Sequence, residues 1–361
     1  MEYDAMTQYW IWLSAAPGMT PTRFYALIER FGDARAVWDN AGEAARMLSE
    51  KQGAQLLAAR DERAFYALFS RLERLNIRSI TRLQDEYPGA LTGIYDPPPT
   101  LYALGEADIR AARALGVVGS RRASRDGKRA AFEISEGLAR EGVAVVSGMA
   151  RGVDTAAHQG ALQGEGTTIA VLGSGLDVIY PPENDALYRQ ILESGGAVVS
   201  EYLPGTPPYA TNFPARNRII SGLSQGVLMV EGRKNSGAMI TMTLAGEQGR
   251  DAFAVPGSIY APLSEGPNQL IFDGAQPVRD AYDILEFYRW GVRPGEKAVK
   301  ERLPPLEPDE AKLVKLLKIE ALSFDELAVE TGFNSGKLNS LLTILALRGI
   351  IKQLPGRIYR I

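Results

Sequence analysis

Six short segments without polar interruption, between residues 115 and 255, restrict the fold of this chain more than any other feature. They are Leu115–Gly119, Val143–Ser147, Thr168–Leu172, Val198–Ser200, Val227–Val230 and Ala252–Val255. A strand with one face in water alternates apolar and polar residues, whereas a continuously apolar strand is covered on both faces. Glycine-rich turns and amphipathic stretches separate the six runs. The pattern predicts an α/β fold in which helices cover both faces of a largely parallel sheet.

The flanking segments predict two further domains. Residues 1–75 carry apolar residues at helical spacing, and we expect a helical domain of the SAM or helix-hairpin-helix type there. Within it, Leu13–Pro21 resembles a helix-hairpin-helix turn, with Thr20 where a second glycine is expected. The α/β domain is assigned to residues 76–289, a charged and proline-rich linker to 290–305, and a small domain to 306–361.

The small C-terminal domain has the element order of a winged helix-turn-helix. The sequence predicts helices at Pro308–Lys318, Phe324–Glu330 and Ser335–Leu347, followed by strands at Ile350–Leu354 and Arg357–Ile361. Leu338, Leu341, Leu342 and Leu345 share one face of the third helix. That face predicts how the helix packs and leaves the partner of its exposed face open.

Composition excludes several classes of protein. The 361 residues include no cysteine, which rules out disulfides and thiolate metal sites and favours a reducing compartment. The N-terminus has no signal-peptide pattern, and no run approaches the ~18 apolar residues that a membrane span needs. We therefore expect a cytoplasmic protein without a membrane partner.

The net charge of −3 hides a strongly uneven distribution. Between Arg110 and Arg129 there are seven basic residues and one acid, and Thr331–Ile361 has five basic residues and no acid. The 30 residues Glu301–Glu330 carry four basic and eight acidic side chains. Local basic clusters on a nearly neutral body are typical of proteins that dock a polyanion at one place, although solvated helix faces are an alternative for the 110–129 cluster.

Small-residue loops follow three of the predicted strands. In α/β folds ligands bind beyond the carboxyl ends of the strands, where the backbone N–H groups of loops and helix N-termini attract anions. Three such loops on successive strands predict a continuous phosphate-binding groove. Its candidate residues are Gly119, Ser120 and Arg121, then Ser147, Gly148, Arg151 and Gly152, and finally Gly173, Ser174 and Gly175.

Two later segments add phosphate-binding candidates. Arg216, Asn217 and Arg218 supply two guanidinium groups, which favour phosphate over a single carboxylate. Ser236, Gly237 and Thr241 open another helix. Two aromatic residues, Phe213 and Tyr180, are candidates either for stacking on a base or for core packing.

Enzymatic interpretations fit the residues less well. The stretch Gly173–Gly175 matches the dinucleotide fingerprint only partly, because Val178 occupies the third glycine position, and no cofactor or metal is expected. His158 is the single histidine, so we expect it to make a structural hydrogen bond. Asp154, Asp177 and Glu231 are either an acid-base set or, as we prefer, caps of loop amides.

Taken in order, these motifs resemble the DprA (Smf) family of DNA-processing proteins. The resemblance spans about residues 76–285, although many members have a lysine where this chain has Pro182. The segments that carry it are Gly119-Ser120-Arg121, Ser147–Asp154 with His158, Gly175–Pro181 with Asn184, Phe213–Arg218, Ser236-Gly237 with Thr241, and Val255–Gly257.

The resemblance implies a Rossmann-like core that binds single-stranded DNA without catalysis, forms homodimers and loads the recombinase RecA during natural transformation. It implies phosphate contacts at the candidate residues above and a dimer interface at Leu270 and Ile271. Two alternatives stay open. One is a nucleotide- or phosphoribosyl-processing enzyme of the lysine-decarboxylase-like type, and the other is a transcription regulator that acts through the C-terminal helix-turn-helix.

Overall fold

The computed structural model describes residues 3–291, 306–318, 320–347, 350–354 and 356–360. The chain divides into two compact units, Met1–Gly291 and Val292–Ile361. The helices of the first unit are α1 (Ala5–Ala15), α2 (Pro21–Phe31), α3 (Ala34–Asp39), α4 (Ala41–Arg46), α5 (Glu50–Ala59), α6 (Glu62–Arg74), α7 (Gly89–Thr92), α8 (Arg125–Arg140), α9 (Val153–Gln163), α10 (Asp185–Glu193), α11 (Asn212–Gly222), α12 (Gly237–Glu247), α13 (Glu265–Phe272) and α14 (Ala281–Phe287).

A nine-stranded sheet runs through the first unit, in the order β1-β2-β6-β5-β4-β3-β7-β8-β9. Its strands are β1 (Arg78–Thr81), β2 (Thr100–Gly105), β3 (Ala114–Val118), β4 (Ala144–Ser147), β5 (Thr168–Leu172), β6 (Ala197–Ser200), β7 (Gly226–Met229), β8 (Asp251–Ala254) and β9 (Gln276–Pro277). The strands β3 to β8 agree within one residue with the six apolar runs. Their pairing is parallel throughout, and the predicted α/β class with a largely parallel, Rossmann-like core is confirmed.

The order of the parallel strands reverses beside β3. From β3 the chain winds through β4, β5 and β6 on one side, and it then returns to place β7 and β8 on the other side. The strands β3 and β7 are neighbours, and the loops that follow them therefore turn away from each other, towards opposite sides of the sheet. In open α/β sheets this reversal creates a crevice beyond the carboxyl ends of the strands, which is where ligands bind.

Two antiparallel strands, β1 and β2, extend the sheet beyond β6 and were not predicted. The N-terminal region is helical, as expected, with α1 to α6 covering residues 5–74. These helices share a core with the sheet, since Ile11 and Leu72 cluster with Leu172 and Val198. In the hairpin-like turn, α1 ends at Ala15 and the side chain of Thr20 caps α2.

The second unit has the winged helix fold that the sequence predicts. Its helices are α15 (Pro308–Leu317), α16 (Phe324–Thr331) and α17 (Ser335–Leu347), and its strands are β10 (Leu322–Ser323), β11 (Lys352–Leu354) and β12 (Ile358–Arg360). The three strands form one antiparallel sheet. Leu338, Leu342 and Leu345 are buried between them and the helices, and Leu341 is half-buried. Residues 292–305 of the expected linker lie outside the described residues.

None of the helices in the described part of the chain combines the length and the apolar composition that crossing a bilayer requires.

Candidate nucleic-acid interface

A cleft of about 1450 Å³ lies at the strand-order reversal between β3 and β7. Its floor and walls come from the loops after these two strands and from the N-terminal halves of α11 and α12. Eight of the predicted phosphate-binding residues line it: Gly119, Ser120, Arg121, Arg216, Asn217, Ser236, Gly237 and Thr241. The cleft thus brings together residues that are up to 122 positions apart in the sequence.

The loop after β3 is fixed by contacts with the end of β7. The N–H of Ser120 donates to the carbonyl of Glu231 at 2.7 Å, and the carboxylate of Glu231 accepts from the N–H and the hydroxyl of Ser124 at 2.8 and 2.6 Å. A side chain at Gly119 would come within 2.9 Å of the same carbonyl. Glu231 is therefore a loop cap, as preferred from the sequence.

Four cationic side chains stand exposed around the mouth of the cleft: Arg121, Arg122, Arg233 and Lys234. Within the described residues, none of them forms a salt bridge with a carboxylate. Because exposed cations without counter-charges raise the local positive potential, this rim attracts anions. Only Arg121 belongs to the predicted set. The adjacent pair Arg233 and Lys234 was missed, although its position directly after an apolar run was a usable signal.

Two aromatic rings form part of the cleft wall. Tyr180 and Phe213 pack with ring centroids 5.6 Å apart, and the guanidinium of Arg121 lies 5.1 Å from the centroid of the Phe213 ring. Phe213 also packs on Gly173, where an added Cβ would lie 3.0 Å from the ring. Both aromatic residues are half-buried, so packing and contact with a ligand are compatible.

A buried pair of opposite charges lies beneath the loop after β4. Nη1 of Arg216 donates to the carbonyl oxygens of Val171 and, at 2.7 Å, of Gly148. The carboxylate of Asp154 accepts from the N–H groups of Gly148 and Ala150 at 3.2 and 3.3 Å. Burial raises the pKa of Asp154 to about 6, against the opposing effect of Arg216, and burial lowers the pKa of Arg216 to about 10. The pair organises the loop, and the capping role expected for Asp154 is confirmed.

Arg218 faces away from the cleft, unlike Arg216. Its guanidinium forms a two-pronged ion pair with Glu201 at 2.8 and 2.5 Å and donates to the carbonyl of Asp96 at 2.9 Å. Residues two apart on a helix lie on different faces. The expectation that both arginines flank one phosphate site is therefore corrected: in this structure Arg218 joins α11 to the end of β6.

The groove expected across the ends of β3, β4 and β5 runs instead between β3 and β7. The hydroxyl of Ser147 donates to the carbonyl of Val117, and that of Ser174 donates to the carbonyl of Val178. An added Cβ at Gly175 would come within 2.5 Å of the carbonyl of Leu203. The segment that follows β6 covers the loop after β5. Gly173, Ser174 and Gly175 in this loop are therefore buried and do not line the cleft.

The remaining candidates lie next to the cleft. Gly148 and Arg151 line a small adjoining pocket, and Arg151 is paired with the exposed Glu183 at 2.6 Å. Gly152 has φ +81°, and a side chain there would come within 2.2 Å of the carbonyl of Ser120. Gly152 therefore allows the loops after β3 and β4 to touch.

The single histidine is structural, as expected. His158 is fully buried, and its Nδ1 is 2.7 Å from the hydroxyl of Thr168. Burial lowers the pKa of His158 to about 3. Asp177 accepts from the N–H of Gly205 and from Arg71, which confirms it as a loop cap. In the part of the chain that the structure describes, no three Asp, Glu or His side chains are grouped to hold a metal ion.

The two predicted dimer residues lie on α13. Leu270 and Ile271 are half-buried, and Leu270 packs against the core on one face of the sheet. Three apolar side chains near them in the chain are strongly exposed: Phe272 on the same helix, and Ile259 and Tyr260 on the preceding loop, with 87%, 82% and 89% of their surfaces accessible. Asn268 of α13 holds this loop through two hydrogen bonds to the backbone of Gly257.

Comparison with known families gives two matches. The family described as DNA recombination-mediator protein A matches residues 78–289, and the DprA winged helix domain matches residues 297–357. Protein Smf of Escherichia coli is 41% identical over 295 residues, which cover 80% of this chain and 79% of that protein. The DNA processing protein DprA of Streptococcus pneumoniae is 46% identical over 207 residues, 57% of this chain and 73% of that protein.

Two solved structures are similar to this one. The X-ray structure of DprA from Streptococcus pneumoniae matches with a TM-score of 0.68 and 37% identity, over 79% of this chain and 98% of that chain. DNA processing protein A from Helicobacter pylori, for which a single-stranded DNA binding mode is described, matches with a TM-score of 0.54 and 28% identity. That match covers 59% of this chain and 95% of the other.

Proposed function

Because this chain belongs to the DprA/Smf family of DNA-processing proteins, we propose that it binds single-stranded DNA in the cleft between β3 and β7. The observation that carries the proposal is the rim of four exposed cations, Arg121, Arg122, Arg233 and Lys234, which have no carboxylate partner among the described residues and stand above a crevice lined by the loops after β3 and β7. Phosphate groups pair with guanidinium and ammonium groups and accept hydrogen bonds from backbone N–H groups.

The aromatic wall supports a single strand rather than a duplex as the ligand. Bases in a duplex are stacked on each other, whereas unpaired bases are free to stack on protein rings. Tyr180 and Phe213 present partly exposed rings beside Arg121. The single-stranded DNA binding described for the similar protein of Helicobacter pylori points the same way.

We propose a binding role without catalysis. Of the carboxylates at or beside the cleft, Asp154 accepts from two loop amides and Glu231 accepts from Ser124, which leaves the exposed Glu265 as the remaining one in the lining. A general acid or base needs a carboxylate that reaches the substrate. The alternative, a nucleotide-processing enzyme, predicts turnover of nucleoside monophosphates, which a product assay detects.

Titration of a fluorescent single-stranded oligonucleotide at several salt concentrations tests the site. Arg121→Ala should weaken binding by about 5-fold at 0.1 M salt and reduce the salt slope by about 0.7, the value for one phosphate contact on a single strand. Arg140→Ala is the matched control, because Arg140 pairs with Glu136 at the far end of α8. An unchanged slope for Arg121→Ala would remove Arg121 from the interface.

Competition with unlabelled DNA separates the proposal from the regulator alternative. A regulator acting through its winged helix should prefer a duplex of the same sequence. Our proposal expects the single strand to compete more strongly. Stronger competition by the duplex would favour the regulator and contradict the proposal.

We further propose that the protein acts as a homodimer through α13. Exposed apolar surface marks protein interfaces, and Phe272 follows Leu270 and Ile271 on α13, while Ile259 and Tyr260 are exposed on the loop that Asn268 holds to this helix. Sedimentation of Ile271→Glu and Phe272→Glu should show a monomer if this surface is the interface. A dimer that persists in both variants would place the interface elsewhere.

The biological role that we propose is loading RecA onto incoming single-stranded DNA during natural transformation, in the cytoplasm. The family description, a recombination mediator, supports it. RecA filament assembly on DNA coated with single-strand-binding protein should accelerate when the protein is added. Arg121→Ala should lose this acceleration, and acceleration that survives loss of DNA binding would contradict the mechanism.

A further inference from the structure

A row of basic side chains leads out of the cleft onto α8. Arg121 and Arg122 belong to the loop after β3, and Arg125 and Lys128 follow in the first turns of the helix. All four are exposed. We name these four residues the α8 basic row.

The packing of α8 aims the row at solvent. The helix buries Gly127, Ala131, Ile134 and Leu138 against the core. Positions three apart on a helix lie on the same side, which puts Lys128 beside Arg125. The two side chains therefore continue the exposed surface that Arg121 and Arg122 begin at the rim.

Among the described residues, the charges of the row have no ion-pair partner, unlike the other arginines of the helix. Arg129 is bound to Glu133 at 2.7 Å, and Arg140 is bound to Glu136, each one turn along the helix. For Arg121, Arg122, Arg125 and Lys128, no such ion pair exists among the described residues.

The position of the row also opposes local stability. The N-terminal end of a helix carries a partial positive charge, which favours acidic side chains in the first turn and disfavours cations. Two carboxylates already lie at that end, since Asp126 is in the first turn and Glu231 is hydrogen bonded to Ser124, the N-cap. Arg125 and Lys128 are like charges three positions apart, which repel each other. An external anion beside these two side chains would relieve the repulsion.

We propose that the α8 basic row is an extension of the binding site, over which a single strand leaving the cleft continues for about two more phosphates. The inference rests on the proposed function, since it assumes that single-stranded DNA occupies the cleft. Arg125 and Lys128 are then contacts for the phosphate backbone, which carry no base preference.

Oligothymidylates of two lengths test the extension, about 5 nucleotides for the cleft alone and about 20 for the cleft and the row, which bracket the usual single-strand site sizes of ~4–16. In Arg125→Ala/Lys128→Ala, the salt slope for the long strand should fall by about 1.4 and its affinity by about 25-fold at 0.1 M salt, from 0.7 per contact. Affinity for the short strand should stay within twofold of wild type.

The matched control is Arg140→Ala/Arg189→Ala. It removes two charges as well, but each of these guanidinium groups is held by a carboxylate one turn away, Glu136 and Asp185. The control should bind both strands like wild type. The melting temperature of Arg125→Ala/Lys128→Ala should equal or exceed that of wild type, because alanine favours the helix and the repulsion is gone.

Equal losses for both strand lengths, or a long-strand slope equal to that of the control, would overturn the extension and leave the cleft as the whole site. If wild type bound neither strand, the proposed function itself would fail. If Arg121→Ala weakened both strands and Arg125→Ala/Lys128→Ala weakened neither, only the extension would fail.

Discussion

The inner wall and the rim of the cleft use the same kinds of charged side chain in opposite ways. Arg216 and Asp154 on the inner wall are 4% and 7% exposed and are hydrogen bonded to loop backbone. Arg121 and Arg233 on the rim are exposed and have no carboxylate partner among the described residues. The inner charges therefore determine the shape of the loops, and the outer charges are free to meet a ligand.

An arginine near a phosphate-binding loop is therefore not by itself a phosphate ligand. A buried charge is stable only when other groups of the protein satisfy it. An exposed charge costs little and stays available. Substitutions on the inner wall should therefore change stability first, and substitutions on the rim should change binding alone.

The largest effect is expected for Arg216→Met. It leaves the buried carbonyl oxygens of Gly148 and Val171 without their donor and removes the nearby positive charge that favours the ionised form of Asp154, which together cost about 3–5 kcal/mol in the free energy of unfolding. Urea denaturation measures it, with Arg121→Met on the rim as the matched control that should unfold like wild type. The double variant Arg216→Met/Asp154→Leu should recover part of the loss, because it removes both charges. If Arg216→Met unfolded at the same urea concentration as wild type, the structural role assigned to the inner-wall charges would be contradicted.

The second effect is a pH dependence that originates at Asp154. Its pKa is about 6 in the folded protein, above its ordinary value of 3.8, so the folded state holds the proton more strongly. Stability is therefore lost as the pH rises from about 4 through 6, by about 3 kcal/mol. The measurement is the free energy of unfolding at pH 4 and pH 7 for wild type and for Asp154→Asn, which lacks this titration.

The buried His158 makes a comparison with Asp154→Asn necessary. Its pKa is lowered to about 3, so an unfolded chain takes up the proton first, and stability falls as the pH drops below about 6.5. This effect has the opposite sign in the same pH range and is common to both proteins. Parallel pH curves for wild type and Asp154→Asn would contradict the assignment to Asp154.

A third, smaller effect separates two glycines of the cleft loops. Gly152→Ala should lose about 2 kcal/mol, because φ is +81° and the new Cβ would meet the carbonyl of Ser120. Gly237→Ala, at the first turn of α12, meets nothing within 4 Å and should keep or slightly raise stability. Thermal unfolding of the two variants, followed by circular dichroism, checks this. Equal melting temperatures would show that the loop contact at Gly152 is unimportant.

The smallest effect concerns the β7 side of the rim. Arg233→Ala and Lys234→Ala should each weaken single-stranded DNA binding by about 5-fold at 0.1 M salt, with a slope change of about 0.7 and an unchanged melting temperature. Arg189→Ala, whose guanidinium is held by Asp185, is the control. Normal binding by both rim variants would confine the ligand to the β3 side.

Periodicity was sufficient for the strands of the core and insufficient at the sheet's edge. The six parallel strands are continuously apolar because helices cover them on both faces, and that signal is local. The edge strand β1 was missed because Arg78–Thr81 is short and mixes polar with apolar residues, which gives a weaker pattern. The strand β2 lies inside the sheet between β1 and β6, and its apolar run Leu101–Leu104 was a usable signal.

The phosphate-binding loops show a different limit. Three glycine loops that follow one another in the sequence suggested one groove, but β7 inserts beside β3 and moves the cleft to that boundary. The basic pair Arg233 and Lys234 consequently joins the site, while Gly173–Gly175 is covered by Phe213 and by the chain after β6. Sequence order does not reveal the order of strands in a sheet, because that order depends on which helices and strands pack together.

The sequence by itself determined the α/β class, the winged helix, the family and the identity of the glycine loops, because each depends on short-range periodicity or on residues within a few positions of each other. Only the tertiary structure decided which charges are buried and which are exposed. Arg216 and Arg218, two residues apart, are both buried but contact different segments: Arg216 donates to the carbonyl of Gly148, and Arg218 pairs with Glu201. Burial and the pairing of charges depend on distant segments, and these come together only when the chain is folded.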